Sequence, residues 1–450
     1  MENMENESAQ NNDSIIDELI HARWVIPVEP HNMVLDHFSV AVHQGKIIDV
    51  LSQKKARQRY QAHKVHELPG HALIPGLINS HTHSPMNLMR GYADDHKLMS
   101  WLENHIWPAE QKWVDEEYVM DGSQLAIAEM IRSGTTCFND MYFYPEVTAR
   151  IAQDIGIRAT VGLIVLDFPS SWANNAAEYI EKGLQLYDNL HDSPLISAAF
   201  APHAPYTVSD EPLKQIRTLS DELNLPVNIH IHETPEEVAQ SVEQYGLRPI
   251  QRLHKLGLLS PNLLAVHMTQ VNGHDIQLLT ENNVNVIHCP ESNMKLASGV
   301  CPAVSLLKAG VNVALGTDGV ASNNDLNMLG EMQTTGLIAK ASTENAEALP
   351  AADILRMATL NGAKALGQEN LIGSLAVDKA ADIVAIDLNS IETQPVYNPI
   401  ATIIYAASRH NVSHVWVNGK LLLNNREFCT IDPDALLQKT AEWQQKLLHE

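Results

Sequence analysis

Short apolar runs that end in polar residues recur through the middle of the chain, and helix-period segments follow most of them. Eight such runs stand out: LINSHTH (77–83), TTCFNDMY (135–142), RATVGLIVL (158–166), ISAAFAPH (196–203), VNIHIHE (227–233), LLAVHMT (263–269), VNVIHCPE (284–291) and VNVALGTD (311–318). Between them GSQLAIAEMIRSG, EVTARIAQDIG, EPLKQIRTLSDELN and PAVSLLKAG carry apolar residues at helical spacing. Apolar strands alternating with helices predict a parallel sheet covered on both faces. Eight strand–helix units over roughly 290 residues match an α/β chain closed into a (β/α)8 barrel rather than an open sheet.

The two ends read differently. Residues 15–75 are strand-like (ARWVIPV, FSVAVHQGKIIDVL, VHELPGHALIPG), with Gln44-Gly45 suiting a tight hairpin turn. After the barrel, residues 371–450 hold SLAVDKAADIVAIDL, then HVWVNGKLLL with a stronger hairpin signal at Asn418-Gly419, and a closing helix. The expected organisation is a polar, acidic, disordered tail over 1–14, a first β part over 15–75, the barrel over 76–370, and a second β part with a C-terminal helix over 371–450.

Composition narrows the function classes. With 450 residues and 45 % hydrophobic content the chain can bury a large core. A net charge of −24 repels phosphate backbones and anionic lipid, so neither nucleic acid nor a membrane surface is an expected partner. No apolar run reaches the roughly 18 to 20 residues of a membrane span, and the start does not read as a signal peptide. Four cysteines without CxxC spacing argue against a disulfide scaffold or a cysteine-based zinc finger and suit a reducing cytoplasm. The 22 histidines point to metal and proton chemistry without locating it.

What locates it is where the polar residues fall. His81, His83, His203, His230, Glu233, His267, His288 and Asp318 all sit at the C-terminal ends of the predicted strands, the end where barrel enzymes build their sites. His81 and His83 are two residues apart, so an extended strand turns both to one side, where they can grip one ion. The same spacing relates His230 and His232, and only one of these needs to be a ligand. Glu233 beside a bound ion suits proton transfer, although an acid there also stabilises the start of the helix TPEEVAQSV. Asp318 ends the eighth run as either a ligand or a cap. Three histidines and one aspartate with a position left for water fit a catalytic divalent metal, with His267 as either a partner of that water or a ligand itself. Glu110, read alone, is a solvated acid near a helix start.

PGLINSHTHSPMNLMRGYADD, APHAPYTVS, NIHIHET, AVHMTQ, HCPESNMKLASG and LGTDGVASNNDLNMLGEM together resemble the amidohydrolase superfamily. Within it the resemblance is to the methylthioadenosine/S-adenosylhomocysteine deaminase branch, which also holds ATZ/TRZ chlorohydrolase-like enzymes. It spans about Ile16 to Leu423. It implies a distorted (β/α)8 barrel of the metallo-dependent hydrolase type, joined to a small β-sandwich built from both chain ends. It further implies one Zn2+ per subunit, with Fe2+ or Mn2+ as alternatives, held by His81, His83, His230 and Asp318. Glu233 becomes the proton shuttle and substrate contact, His267 the hydrogen-bond partner of the water, Glu110 the grip on the ribose hydroxyls, and His203 a nucleoside contact. His232 and His288 are left as candidates for a second layer around the metal, with their roles open. No carbamylated lysine bridge is expected, and the branch is often dimeric or tetrameric.

The implied reaction is hydrolytic deamination of an adenine ring at C6, giving an inosine-type product and ammonia. Arginines that would pair with a homocysteine carboxylate after the third strand are missing from IRATVGLIVLDFPSSWANNAAE, which has Arg158 alone at the strand's start. Methylthioadenosine or adenosine is therefore expected to be preferred over S-adenosylhomocysteine. The rival readings are a deaminase or dehalogenase of guanine, a pterin or a triazine, a two-metal cyclic-amide hydrolase, and a non-catalytic metal-binding scaffold.

Overall fold

The structure is a computed structural model that describes residues 14–190 and 193–448. The tail expected over 1–14 lies outside these residues except for Ser14, which already belongs to the first strand. Sixteen strands form two sheets among the described residues. The first four are β1 (Ser14–Val25), β2 (Leu35–His43), β3 (Lys46–Ser52) and β4 (Tyr60–Pro75). The next four are β5 (Leu77–Thr82), β6 (Thr135–Asp140), β7 (Arg158–Val165) and β8 (Ile196–Pro202). They continue as β9 (Val227–Ile231), β10 (Leu263–His267), β11 (Asn285–His288) and β12 (Asn312–Leu315). The last are β13 (Ile383–Asp387), β14 (Val412–Val417), β15 (Lys420–Asn424) and β16 (Glu427–Phe428).

All eight apolar runs are strands. β5 to β12 pair in chain order as one parallel sheet. Almost every residue in these strands is buried, which is why the sequence shows continuous apolar runs rather than alternation. The seam is closed by chain just beyond β12: the Asp318 N–H donates to the His81 carbonyl at 3.0 Å and the Thr317 N–H to Asn79 Oδ1 at 3.0 Å. Gly316 is required at this seam, because a Cβ there would lie 2.8 Å from the His81 nitrogen.

Both chain ends build the second sheet, in the order β16-β15-β14-β13-β4-β1-β2-β3, mixed because β1 runs parallel to β4. It curls so that its two hairpin turns meet, with the Ala381 N–H bonded to the Gly45 carbonyl and the Gly419 N–H to that of Ala381. Ile20, Val40, Leu73, Ile383 and Trp416 fill the enclosed core. The helix Gln53–Arg59 was not legible, because QKKARQR buries only Ala56 and has no apolar stripe. The C-terminal helix Pro433–Leu448 docks on a barrel helix instead of the sheet, with Trp443 Nε1 donating to Asp121 Oδ2 at 2.8 Å. No helix among the described residues is long and apolar enough to cross a membrane.

Candidate metal centre and active site

The C-terminal ends of β5, β9 and the turn after β12 bring His81, His83, His230 and Asp318 together, each offering one ligand atom within 4.8 Å of the others. His81 Nε2 is 3.0 Å from His230 Nε2 and 3.4 Å from Asp318 Oδ1, and His83 Nε2 is 3.1 Å from that same oxygen. Ligands about 2.0–2.1 Å from a tetrahedral ion are separated by roughly 3.3 Å, so the spacing fits one.

The outer ring nitrogens fix the chemistry of the inner ones. His83 Nδ1 donates to the Met141 carbonyl at 2.6 Å and His230 Nδ1 to the His203 carbonyl at 2.8 Å, leaving both Nε2 atoms bare. His81 Nδ1 lies 3.1 Å from the Asn228 amide, whose Oδ1 has no partner. Turning that amide over lets Oδ1 accept from Nδ1–H and leaves the third Nε2 bare as well. Three imidazole nitrogens and a carboxylate oxygen thus converge on one point, with a lone pair on each nitrogen once His83 gives up its extra proton, and the donor set fits a divalent metal. Burial pulls His81 down to about 4 against the opposing pull of Asp318. Burial alone lowers His83, but Asp318 together with the Met141 carbonyl and Asp140 raises it to about 9, and Asp318 is held well below the carboxylate range by these histidines despite its burial.

The backbone is strained where the site is built. His232, His267 and Asp318 have φ of 56°, 75° and 61°, left-handed values that cost non-glycine residues on the order of 1–3 kcal/mol each. Beside the four ligands, Glu233 Oε2 lies 3.8 Å from His267 Nε2, and burial raises the Glu233 carboxyl above its ordinary value. His267 stacks on His230 with ring centroids 5.4 Å apart. His203 accepts or donates at 3.0 Å to Thr207 Oγ1 and meets the edge of Tyr206.

These groups form the floor of a cavity of about 280 Å³ that also takes in Glu110. Its upper wall is apolar, from Leu98, Trp101, Ile106, Trp107, Leu166 and Phe168, and no Lys or Arg lines it among the described residues. Burial pushes the Glu110 carboxyl up to about 7, against the lowering effects of Tyr142 and His83. Arg158 is far from this cavity in role: buried at the start of β7, it pairs with Asp382 at 3.1 and 3.2 Å.

The two candidate outer groups bond elsewhere or not at all. His232 Nδ1 bonds the Gln270 carbonyl at 2.9 Å and its Nε2 accepts the Ile250 N–H at 3.1 Å, so it ties loops together. His288 lines a separate cavity of about 260 Å³ behind β11, with its Nδ1 unpartnered and its pKa lowered to about 3 by burial. Among the described residues, neither ring hydrogen-bonds one of the four candidate ligands. The helix Pro235–Tyr245 is capped by Thr234, whose side chain accepts the Glu237 N–H at 3.2 Å, while the Glu237 carboxylate accepts the His232 and Glu233 N–H groups at 3.0 and 2.6 Å and holds the turn before the helix. Sequence reasoning did not single out Glu237, Asn228 or the pair Ser292 and Asn293. For the last two the signal was HCPESNM, polar residues directly after a barrel strand.

Residues 72–422 match the model of the amidohydrolase family. The chain belongs to the amidohydrolase family. It is 47 % identical over 431 residues to a 5-methylthioadenosine/S-adenosylhomocysteine deaminase of Saccharophagus degradans, covering 96 % of this chain and 97 % of that one. A relative of the same name from Teredinibacter turnerae is 46 % identical, with 97 % and 99 % covered. Among solved structures, an adenosine deaminase from Xanthomonas campestris with bound zinc superposes with a TM-score of 0.96 at 50 % identity, over 97 % of this chain and all of that one. An atrazine chlorohydrolase from Arthrobacter aurescens shares the fold at 23 % identity and a TM-score of 0.89, over 95 % and 99 %.

Proposed function

We propose that this amidohydrolase is a zinc-dependent deaminase of adenine nucleosides, converting 5′-methylthioadenosine or adenosine and water to the inosine-type product and ammonia. The observation that carries the reading is the juxtaposition of the His81, His83, His230 and Asp318 group with Glu233 and His267 at the floor of a cavity that also holds Glu110. The deaminase names of its relatives and the zinc in the similar adenosine deaminase support the same reading.

His81, His83, His230 and Asp318 would hold a divalent ion, whose Lewis acidity would bring the pKa of a bound water from 15.7 down to about 7. Glu233 takes the proton of the attacking water and hands it to ring N1, which makes C6 electrophilic. Its burial, by raising its affinity for protons, suits a group that must hold one briefly. Asp318 and His267 flank the attacked carbon and orient the incoming oxygen through the tetrahedral stage; the second proton of that water then passes through Glu233 to the amino nitrogen as C6–O becomes a carbonyl, the C6–N bond breaks and ammonia leaves. Glu110 accepts hydrogen bonds from the ribose hydroxyls, and His203 contacts the nucleoside. The apolar wall without a cation favours a methylthio or hydroxyl group at the 5′ position over the zwitterionic homocysteine of S-adenosylhomocysteine.

The rivals predict other outcomes. A guanine, pterin or triazine substrate has no use for Glu110, and a lysine-bridged two-metal site has no lysine at this cavity among the described residues. A non-catalytic scaffold predicts no turnover at all. The test is deamination of a panel of adenosine, methylthioadenosine, S-adenosylhomocysteine and guanine, followed by absorbance. Glu233→Gln is expected to lose on the order of 10²–10⁴ in kcat with about one zinc per chain retained, and an unchanged rate rejects the reading. The same reading carries a cytoplasmic homo-oligomer, a dimer or tetramer, which light scattering checks.

A further inference from the structure

Ser292 and Asn293 are neighbours in the helix Pro290–Lys295 that follows β11, and both side chains are buried, at 0 % and 1 % exposure. They reach opposite sides of the site. Ser292 Oγ donates to Asp318 Oδ2 at 2.7 Å, and Ser322 Oγ donates to the same oxygen at 2.8 Å. The other oxygen, Oδ1, is then the one facing His81 and His83. Asn293 Oδ1 lies 2.9 Å from His267 Nδ1, while the Asn293 amide nitrogen is buried without any partner.

That orphaned nitrogen argues against a bland role. An amide present only to satisfy core polar groups would not leave an N–H pair unpaired, since each such group carries a desolvation cost. As placed, its oxygen accepts from His267 Nδ1–H and leaves Nε2 bare, 3.8 Å from Glu233 Oε2.

We propose that Ser292 and Asn293 are positioning residues for the reaction. Ser292 holds Asp318 as a one-oxygen donor, Asn293 fixes the ring and the proton of His267, and their adjacency on one helical turn sets the spacing of the two groups that flank the attacked carbon. The kinetic part of this inference rests on the deaminase reading above; the metal and proton parts do not.

The experiment compares the full-length zinc protein with Ser292→Ala, Asn293→Ala and Ser322→Ala. Ser133→Ala serves as control, because it removes an equally buried hydroxyl that bonds only the Met130 and Leu326 carbonyls. Each site variant is expected to lose on the order of 10- to 100-fold in kcat, with KM for the nucleoside changed by less than about threefold. Melting of the metal-free proteins is expected to shift no more than in the control. Zinc competition with a chelator should show weaker binding in Ser292→Ala and Ser322→Ala but not in Asn293→Ala. Histidine-selective nitrogen–proton spectra should show a protected His267 Nδ1–H that is lost in Asn293→Ala. Rates within about twofold of the unaltered protein, or losses matched by Ser133→Ala, overturn the proposal. If the unaltered protein deaminates nothing, the functional reading fails, while zinc affinity and the His267 resonance still decide the positioning roles.

Discussion

At the scale of single residues, the least legible group is the one with the clearest pH signature. Glu110 looks like a surface acid in WLENHIWPAEQKW, yet the chain folds it into the cavity wall, where burial pushes its carboxyl up to about 7 from the ordinary 4.5. Only the carboxylate accepts two hydroxyl hydrogen bonds, so KM for a nucleoside should rise as the pH falls through about 7. Glu110→Gln should raise KM by roughly 10- to 100-fold at pH 8, the equivalent of about 1.5–3 kcal/mol for a charged hydrogen bond, and flatten this limb. A 2′,3′-dideoxynucleoside should be indifferent to the change. Stability runs the other way. A carboxyl whose folded pKa is raised holds an extra proton between 4.5 and about 7, so stability falls as pH rises through that window. Glu110→Gln should therefore raise the melting temperature of the metal-free protein more at pH 8 than at pH 5; equal shifts at both pH values reject the assignment. The strand-end residues His81, His83, His230 and Asp318 were legible for a simple reason: polar groups ending apolar runs have no packing explanation. Glu110, Ser292 and Asn293 come from helices and loops, where a polar residue carries no such contrast.

Among the elements, the eight barrel strands were visible because both faces of the sheet are covered, which turns each strand into an apolar run of distinctive length. The two hairpins of the terminal sheet were visible through Gln44-Gly45 and Asn418-Gly419, whose left-handed φ values the turns require. What could not be read was how the two sheets meet. That junction rests on Arg158, which begins β7 and pairs with Asp382 just before β13, while Asp382 Oδ1 also accepts the Asn418 N–H at 2.7 Å. One buried carboxylate thus fastens the base of the barrel to the turn between β14 and β15. Arg158→Met should destabilise by about 3–5 kcal/mol, because it strands a buried charge. Arg158→Met with Asp382→Asn should recover part of this, as the neutral amide is cheaper to bury. Thermal unfolding of the three proteins measures it. Below the melting range kcat should be unchanged, since the pair sits at the opposite end of β7 from the cavity; a specific loss of activity on S-adenosylhomocysteine would instead make Arg158 a substrate contact.

For the molecule as a whole, long-range and local electrostatics act in one direction. The net charge of −24 disfavours the approach of anions, and the cavity they would enter presents Glu110, Glu233 and Asp318 with no Lys or Arg among the described residues. A neutral nucleoside feels little of this, so its kcat/KM should be nearly independent of ionic strength. A 5′-phosphate pays twice, for desolvation and for repulsion, and adenosine 5′-monophosphate should not be turned over measurably. S-Adenosylhomocysteine should lie between these limits: its far end carries a carboxylate and no guanidinium lines the cavity among the described residues, and losing one charged hydrogen bond of about 1.5–3 kcal/mol corresponds to roughly 10- to 100-fold in kcat/KM relative to methylthioadenosine. Ser170 and Ser171 line the cavity directly after β7, beside Phe168, and offer the place to reverse that preference. Ser171→Arg should raise kcat/KM for S-adenosylhomocysteine while leaving methylthioadenosine within a few-fold, and the gain should shrink as salt is added, because it comes from a charge pair near solvent. A native enzyme that already favours S-adenosylhomocysteine, or a Ser171→Arg variant with no salt-sensitive gain, would mean that the carboxylate is recognised by something other than a cation at this wall.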